Sequence, residues 1–154
     1  MREPEKQLFE TKDGQVEVTL NQLGGIASGL LMVRLAKAHA SAIGKMGLAF
    51  AGGGSVKLAL DAFSDLASGL DEREFERLLL ELTKGGQALV NGEFEDLNRV
   101  LIDRMFTGHP EGVFELLWFG MRVNYENFFE RLADLAKKFQ PKATPTKATD
   151  HQTA

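Results

Sequence analysis

The sequence predicts a mainly α fold: a small helical domain with an N-terminal β-hairpin and a long C-terminal aromatic-rich helix. Three observations predict it. Apolar residues recur at steps of three and four along most of the chain. Helix start and stop signals punctuate those stretches. A clear period of two appears only near the beginning, in residues 16–20.

The hairpin comes first. Leu8 and Phe9 lie in a short extended run, Lys12-Asp13-Gly14 supplies a turn, and Val16, Val18 and Leu20 alternate with polar neighbours, so one face is covered. From about Leu23 the pattern becomes helical through Ile26, Leu30, Leu31, Val33 and Leu35, with an alanine-rich end that Gly44 stops. GKMGLAFAGGGS, residues 44–55, then looks like a flexible connection with a small apolar centre. It is not a phosphate cradle, because a P-loop needs Lys-Ser/Thr directly after its last glycine and here Ser55 and Val56 precede Lys57.

Ser55 is positioned to cap a helix through Ala67 that ends at Gly69, with Leu58, Phe63 and Leu66 inward. Asp71 and Glu74 form a D-x-x-E capping box for the next helix, which carries Phe75, Leu78, Leu79 and Leu82 to the stop at Gly85-Gly86. Residues 88–94 around Asn91-Gly92 read as a second small hairpin or reversal, since Asn-Gly tolerates positive backbone angles. Leu97 to Phe106 is a short helix broken by Gly108-His109-Pro110, and Pro110 suits the first turn of the last helix.

That last helix is the most informative segment. Phe114, Leu117, Met121, Tyr125, Phe128, Leu132, Leu135 and Phe139 form one stripe. Val113, Leu116, Trp118, Phe119 and Val123 fall outside it, so the first half is apolar almost all round and must be buried on most sides. A chain of 154 residues is expected to cover such a helix only in part, leaving the rest to a partner. Asn124 within it reads as an amide satisfied by backbone that fixes packing register, with direct partner contact as the alternative. Arg122 and Glu126 are spaced for a helix-surface ion pair.

The domain organisation is a single unit over residues 1–139 and a basic, Pro/Thr-rich disordered tail over 140–154. Residues 1–136 carry 14 Lys+Arg and 21 Asp+Glu, a net of −7, and the remainder a net of +3. An acidic body disfavours nucleic acid, whose phosphates need a clustered basic face. The chain has no cysteine, hence no disulfide and no thiolate chemistry. No export signal is visible at the start, and Glu115, Arg122, Glu126 and Glu130 interrupt the greasiest helix, so no membrane span is expected. His39, His109 and His151 are too scattered for a metal site, serines carry no nucleophile elbow, and no catalytic constellation is recognisable. Neither a cofactor nor an enzymatic activity is expected. Removing residues 141–154 should leave the melting temperature within a few degrees, because that segment offers nothing larger than proline to a core.

The polar start with Asp13-Gly14-Gln15-Val16, the leucine-rich first helix ending near an alanine/glycine patch, and the late element Val123, Asn124, Tyr125, Glu126, Asn127, Phe128, Phe129 carry a resemblance. Over about residues 8–135 the chain resembles the tail assembly chaperones of long-tailed bacteriophages. Many relatives have glycine where Tyr125 stands, so the phenol is a departure. The resemblance implies a non-enzymatic chaperone of the host cytoplasm, absent from the mature virion. It would bind and solubilise the helical tape measure protein and help tube subunits polymerise around it, with the major tail tube protein recruited through a frameshifted longer form. A homo-oligomer is also compatible. The candidate contacts are Leu30, Leu31 and Leu35 on the first helix and Trp118, Met121, Asn124, Phe128 and Phe129 on the last, each set against a core role. The competing reading is another helical interaction module, such as a phage-encoded inhibitor of a host defence complex or a transcription co-factor. A lipid-surface binder is weakened by the mixed charge of the aromatic helix.

Overall fold

The computed structural model describes residues 3–51 and 56–139. Strands β1 (Glu5–Thr11) and β2 (Gly14–Leu20) form the expected hairpin, and Gly14 takes the positive φ of 89° that its turn requires. Six helices follow or intervene: α1 (Gly25–Ala38), α2 (Ala40–Ala51), α3 (Val56–Gly69), α4 (Glu72–Leu82), α5 (Arg99–Met105) and α6 (Pro110–Phe139). Between α4 and α5 lie β3 (Gln87–Val90) and β4 (Glu93–Asp96), closed by Asn91 and Gly92 at φ of 50° and 83°, the left-handed pair of a tight hairpin turn.

The mainly α class is corrected here. The two hairpins are one four-stranded antiparallel sheet in the order β1-β2-β3-β4, because β3 pairs with β2 through Glu17↔Leu89, Val18↔Ala88 and Thr19↔Gln87. The fold is therefore α+β, a meander interrupted by four helices. The N-terminal hairpin and the long C-terminal helix stand as expected.

One sheet face is the core face. Phe9, Val16, Val18, Leu20, Ala88 and Val90 are buried on it, while Leu8, Glu17, Leu89 and Phe94 form a cross-strand row on the other. The inner face packs on α6, where the Phe9 ring lies 5.9 Å from Phe119 and meets Phe106 edge-on at 6.0 Å. Around the rest of α6 stand α4, with Leu82 against Gly120, and α2, with Gly47 against the Phe129 ring.

That arrangement also explains two departures from the sequence reading. Residues 44–51 are not a linker: α2 runs through Gly44 and Gly47 to Ala51, while residues 52–55, including the Ser55 cap, lie outside the described residues. Met46, Ala42, Ile43 and Ala49 are buried, and a Cβ on Gly47 would stand 2.9 Å from the Phe129 ring, so this glycine lets two helices approach and packing overrides its low propensity. Arg122, in turn, does not pair along its helix with Glu126. It donates to Gln7 Oε1 at 3.2 Å, lies 3.9 Å from Glu5 and covers the Phe119 ring at 5.4 Å, tying α6 to β1.

The helix starts follow local chemistry. The Asp71 carboxylate accepts from the Glu74 backbone N–H at 2.8 Å, and Asn98 does the same for Leu101 at 2.9 Å. Glu74 completes no reciprocal bond of the capping box and turns its side chain to His39, 3.5 Å away. Replacing Asp71 with alanine should cost about 1 kcal/mol in urea unfolding. A loss indistinguishable from zero would mean that α4 is started by its packing alone. The segment 140–154 lies outside the described residues.

Candidate partner-binding surface

The middle of α6 is covered by the chain itself, while Phe114 and Phe128 on the same helix each stay 44% exposed. Leu116, Leu117, Phe119, Met121, Val123, Tyr125 and Phe129 are all no more than 5% exposed, so the chain itself closes over the helix on nearly every side from Leu116 to Phe129. The sheet, α4, α1 and α2 supply the cover. Of the sequence-derived candidates, Leu31, Leu35, Met121 and Phe129 lie in the core, Trp118 is half-buried, and Leu30 and Phe128 are exposed at 62% and 44%. Asn124 is internally committed: its Oδ1 accepts from the Leu23 backbone N–H and its Nδ2 donates to Gly120 O, both at 2.8 Å. The side chains of Leu132, Leu135 and Phe139 lie outside the described residues.

A further exposed apolar stripe runs along α1. Ile26, Leu30 and Val33, spaced four and three apart, are 82%, 62% and 50% exposed and fall on one helical face. Leu31 and Leu35 occupy the opposite face and fix the helix to the core. Small or half-buried residues flank the stripe, and Arg34 is the only charge between Gly25 and Ala36. Of this stripe the sequence candidates include Leu30 but neither Ile26 nor Val33. A helix with two apolar stripes and almost no charge can bury only one of them against a single layer of neighbours.

Polar anchors hold α1 where it is. Besides the Asn124 contact, Gln22 Nε2 donates to Val123 O at 3.2 Å, and the Tyr125 hydroxyl donates to Ser28 O at 2.8 Å. Arg34 forms an ion pair with Glu81 of α4. At His39 the chain bends by 119° into α2, and among the described residues no single helix is long and apolar enough to cross a membrane. The described residues also contain no cluster of potential metal ligands.

Burial pushes the Tyr125 phenol well above its ordinary value of 10.0, reinforced by the Glu81 carboxylate and opposed by Arg34. The neutral phenol is the form the fold accepts. Above pH 10 the unfolded chain releases this proton while the folded chain keeps it, so stability is full below that value and falls as pH rises toward the folded pKa. Tyr125 is the only tyrosine, so ultraviolet titration should show no phenolate until the chain unfolds. A reversible transition near pH 10 with helix content intact would show that the phenol is not held as described.

An exposed apolar helix face beside a closed core is the kind of patch that marks interaction surfaces. The chain belongs to the phage tail assembly chaperone family, whose profile, described as phage tail assembly chaperone protein, TAC, matches residues 14–137. That family ties it to phage tail assembly and to interaction with tail proteins. No curated protein and no solved structure matches the chain.

Proposed function

We propose that this chain binds the tape measure protein in the host cytoplasm, keeps it soluble and assists polymerisation of the tail tube around it. The observation that carries this reading is the unpartnered Ile26-Leu30-Val33 stripe, a ridge suited to the apolar face of an amphipathic helix. A tape measure protein is long and helical, and its apolar faces stay bare until the tube encloses them. A chaperone for it needs extended apolar contact without a deep pocket, so that it can be displaced by tube subunits. Family membership supports the tail context of the partner.

The test is co-expression with the tape measure protein of the same genome. The expected result is a soluble complex recovered by pull-down, against an insoluble tape measure protein when it is expressed alone. Equal solubility with and without this chain, and no complex, would reject the reading and bring the host-defence inhibitor forward.

A further inference from the structure

The sheet ends in two edge strands of different character. β4 carries Glu93, Glu95 and Asp96 within four residues, so two copies of it would repel each other. β1 reads EKQLFET, with Lys6 and Glu10 placed symmetrically about Leu8. All three side chains lie on the outer sheet face and are exposed, Leu8 at 57%. The backbone shares this symmetry. The Asn91-Gly92 turn makes Val90 and Glu93 a hydrogen-bonded pair. Alternation from there across the sheet has Glu17 exchanging bonds with Leu89, and Gln7 and Phe9 exchanging theirs with Val18 and Val16. The N–H and C=O groups of Lys6, Leu8 and Glu10 therefore aim away from β2, toward the edge. The series is bounded at both ends: the Lys12 N–H donates to Met105 O at 2.9 Å, and Pro4 has no N–H.

We propose that two copies of this chain pair β1 against β1, antiparallel about a two-fold axis at Leu8, and so join their four-stranded sheets into one. The register that sets Leu8 opposite its own copy also sets each Lys6 opposite the Glu10 of the other copy. Pro4 then falls opposite Lys12, whose N–H is already taken, so the pairing uses the outward backbone groups from Lys6 to Glu10 and asks for none beyond. A slip of two residues either way would place Leu8 against a charged side chain instead. Lysine on an edge strand ordinarily keeps other strands away. Here a second copy brings the carboxylate that meets it. Lys6 reaches Glu17 of its own sheet only at 3.9 Å, and Glu10 accepts one bond, from Gln15, which leaves further acceptor sites on its carboxylate. Because the contact is isologous it consumes both β1 edges, and the acidic β4 edges that remain do not extend it. The proposal is independent of which tail protein the chain binds.

The experiment is sedimentation velocity of the full-length chain over a range of concentrations at low salt, with the fold of each variant checked by circular dichroism. Wild type should pass from the monomer mass of 17.0 kDa to twice that value as concentration rises. Lys6→Glu and Glu10→Lys each place two like-charge pairs across the strands and should weaken the dimer about tenfold or more. The double variant, Lys6→Glu with Glu10→Lys, only inverts the pairs and should return to within about threefold of wild type. Mixing the two single variants should give a heterodimer tighter than either forms alone, because every cross-strand pair is then opposite in sign. A wild-type chain that stays monomeric at every concentration overturns the proposal. So does unchanged dimerisation in both single variants, or two single variants that fail to combine. A dimer that survives both single variants but dissociates when Ile26 and Leu30 become aspartate would place the contact on α1 and overturn it too. Failure to recover a tape measure complex would count against the proposed client alone, since this measurement contains no client.

Discussion

Replacing Phe119 with alanine should lower the unfolding free energy by about 3–5 kcal/mol, the largest stability loss expected from any single truncation considered. The side chain is 1% exposed and stands where the sheet meets α6, its ring 5.9 Å from that of Phe9 and covered by Arg122. Neighbours on two sides belong to elements far apart in sequence, so the core cannot collapse locally into the vacancy. Since small proteins have about 5–15 kcal/mol in total, the variant should melt roughly 10 °C or more below wild type. Urea unfolding with an unchanged slope would attribute the loss to the native state. Phe94→Ala is the control, because that ring is 65% exposed and its removal should change stability by under about 0.5 kcal/mol. A Phe119 variant as stable as the control would mean that the sheet does not pack on α6 as described.

The parts of this fold that sequence could reveal are those whose cause is local. The β1-β2 turn, the Asn91-Gly92 reversal, the Asp71 cap and Pro110 at the start of α6 each depend on residues within four positions of one another, and each lies where its residues imply. What escaped depends on distant partners. Nothing in residues 87–90 announces that they pair with residues 17–19, across four intervening helices, so one sheet looked like two separate reversals. Gly47 reads as a breaker until Phe129 is known to lie against it.

The extent to which α6 is covered escaped for a related reason. Counting apolar faces on α6 shows that it must be covered, but not how many elements are available to cover it. The sheet, invisible as a unit, supplied the missing wall. On α1 the candidates Leu30, Leu31 and Leu35 mixed two faces because its apolar stripes overlap in sequence, and only the seating of Leu31 and Leu35 decides that Ile26, Leu30 and Val33 face outward.

Placing aspartate at both Ile26 and Leu30 should abolish capture of the tape measure protein while leaving the fold in place. Both side chains are more than half exposed, so little buried area is lost. Their location further reduces the cost. The N-cap Gly24 offers no side chain to α1, and its first turn contains no acidic residue, so a carboxylate at position 26 gains a favourable interaction with the helix N-terminus of about 0.3–1 kcal/mol. That offsets the weaker helix propensity of aspartate and its repulsion from a like charge one turn on. At the interface the balance runs the other way. Two carboxylates desolvated against an apolar helix with no cation to receive them would cost several kcal/mol, about 1–3 for each unsatisfied polar group and more for charged ones. Co-expression should then leave the tape measure protein insoluble, although the variant chain itself stays soluble with a melting temperature near that of wild type. A double variant that still recovers the complex would show that α1 is a bystander and would move the search to the remaining exposed candidates, Phe128 and the half-buried Trp118.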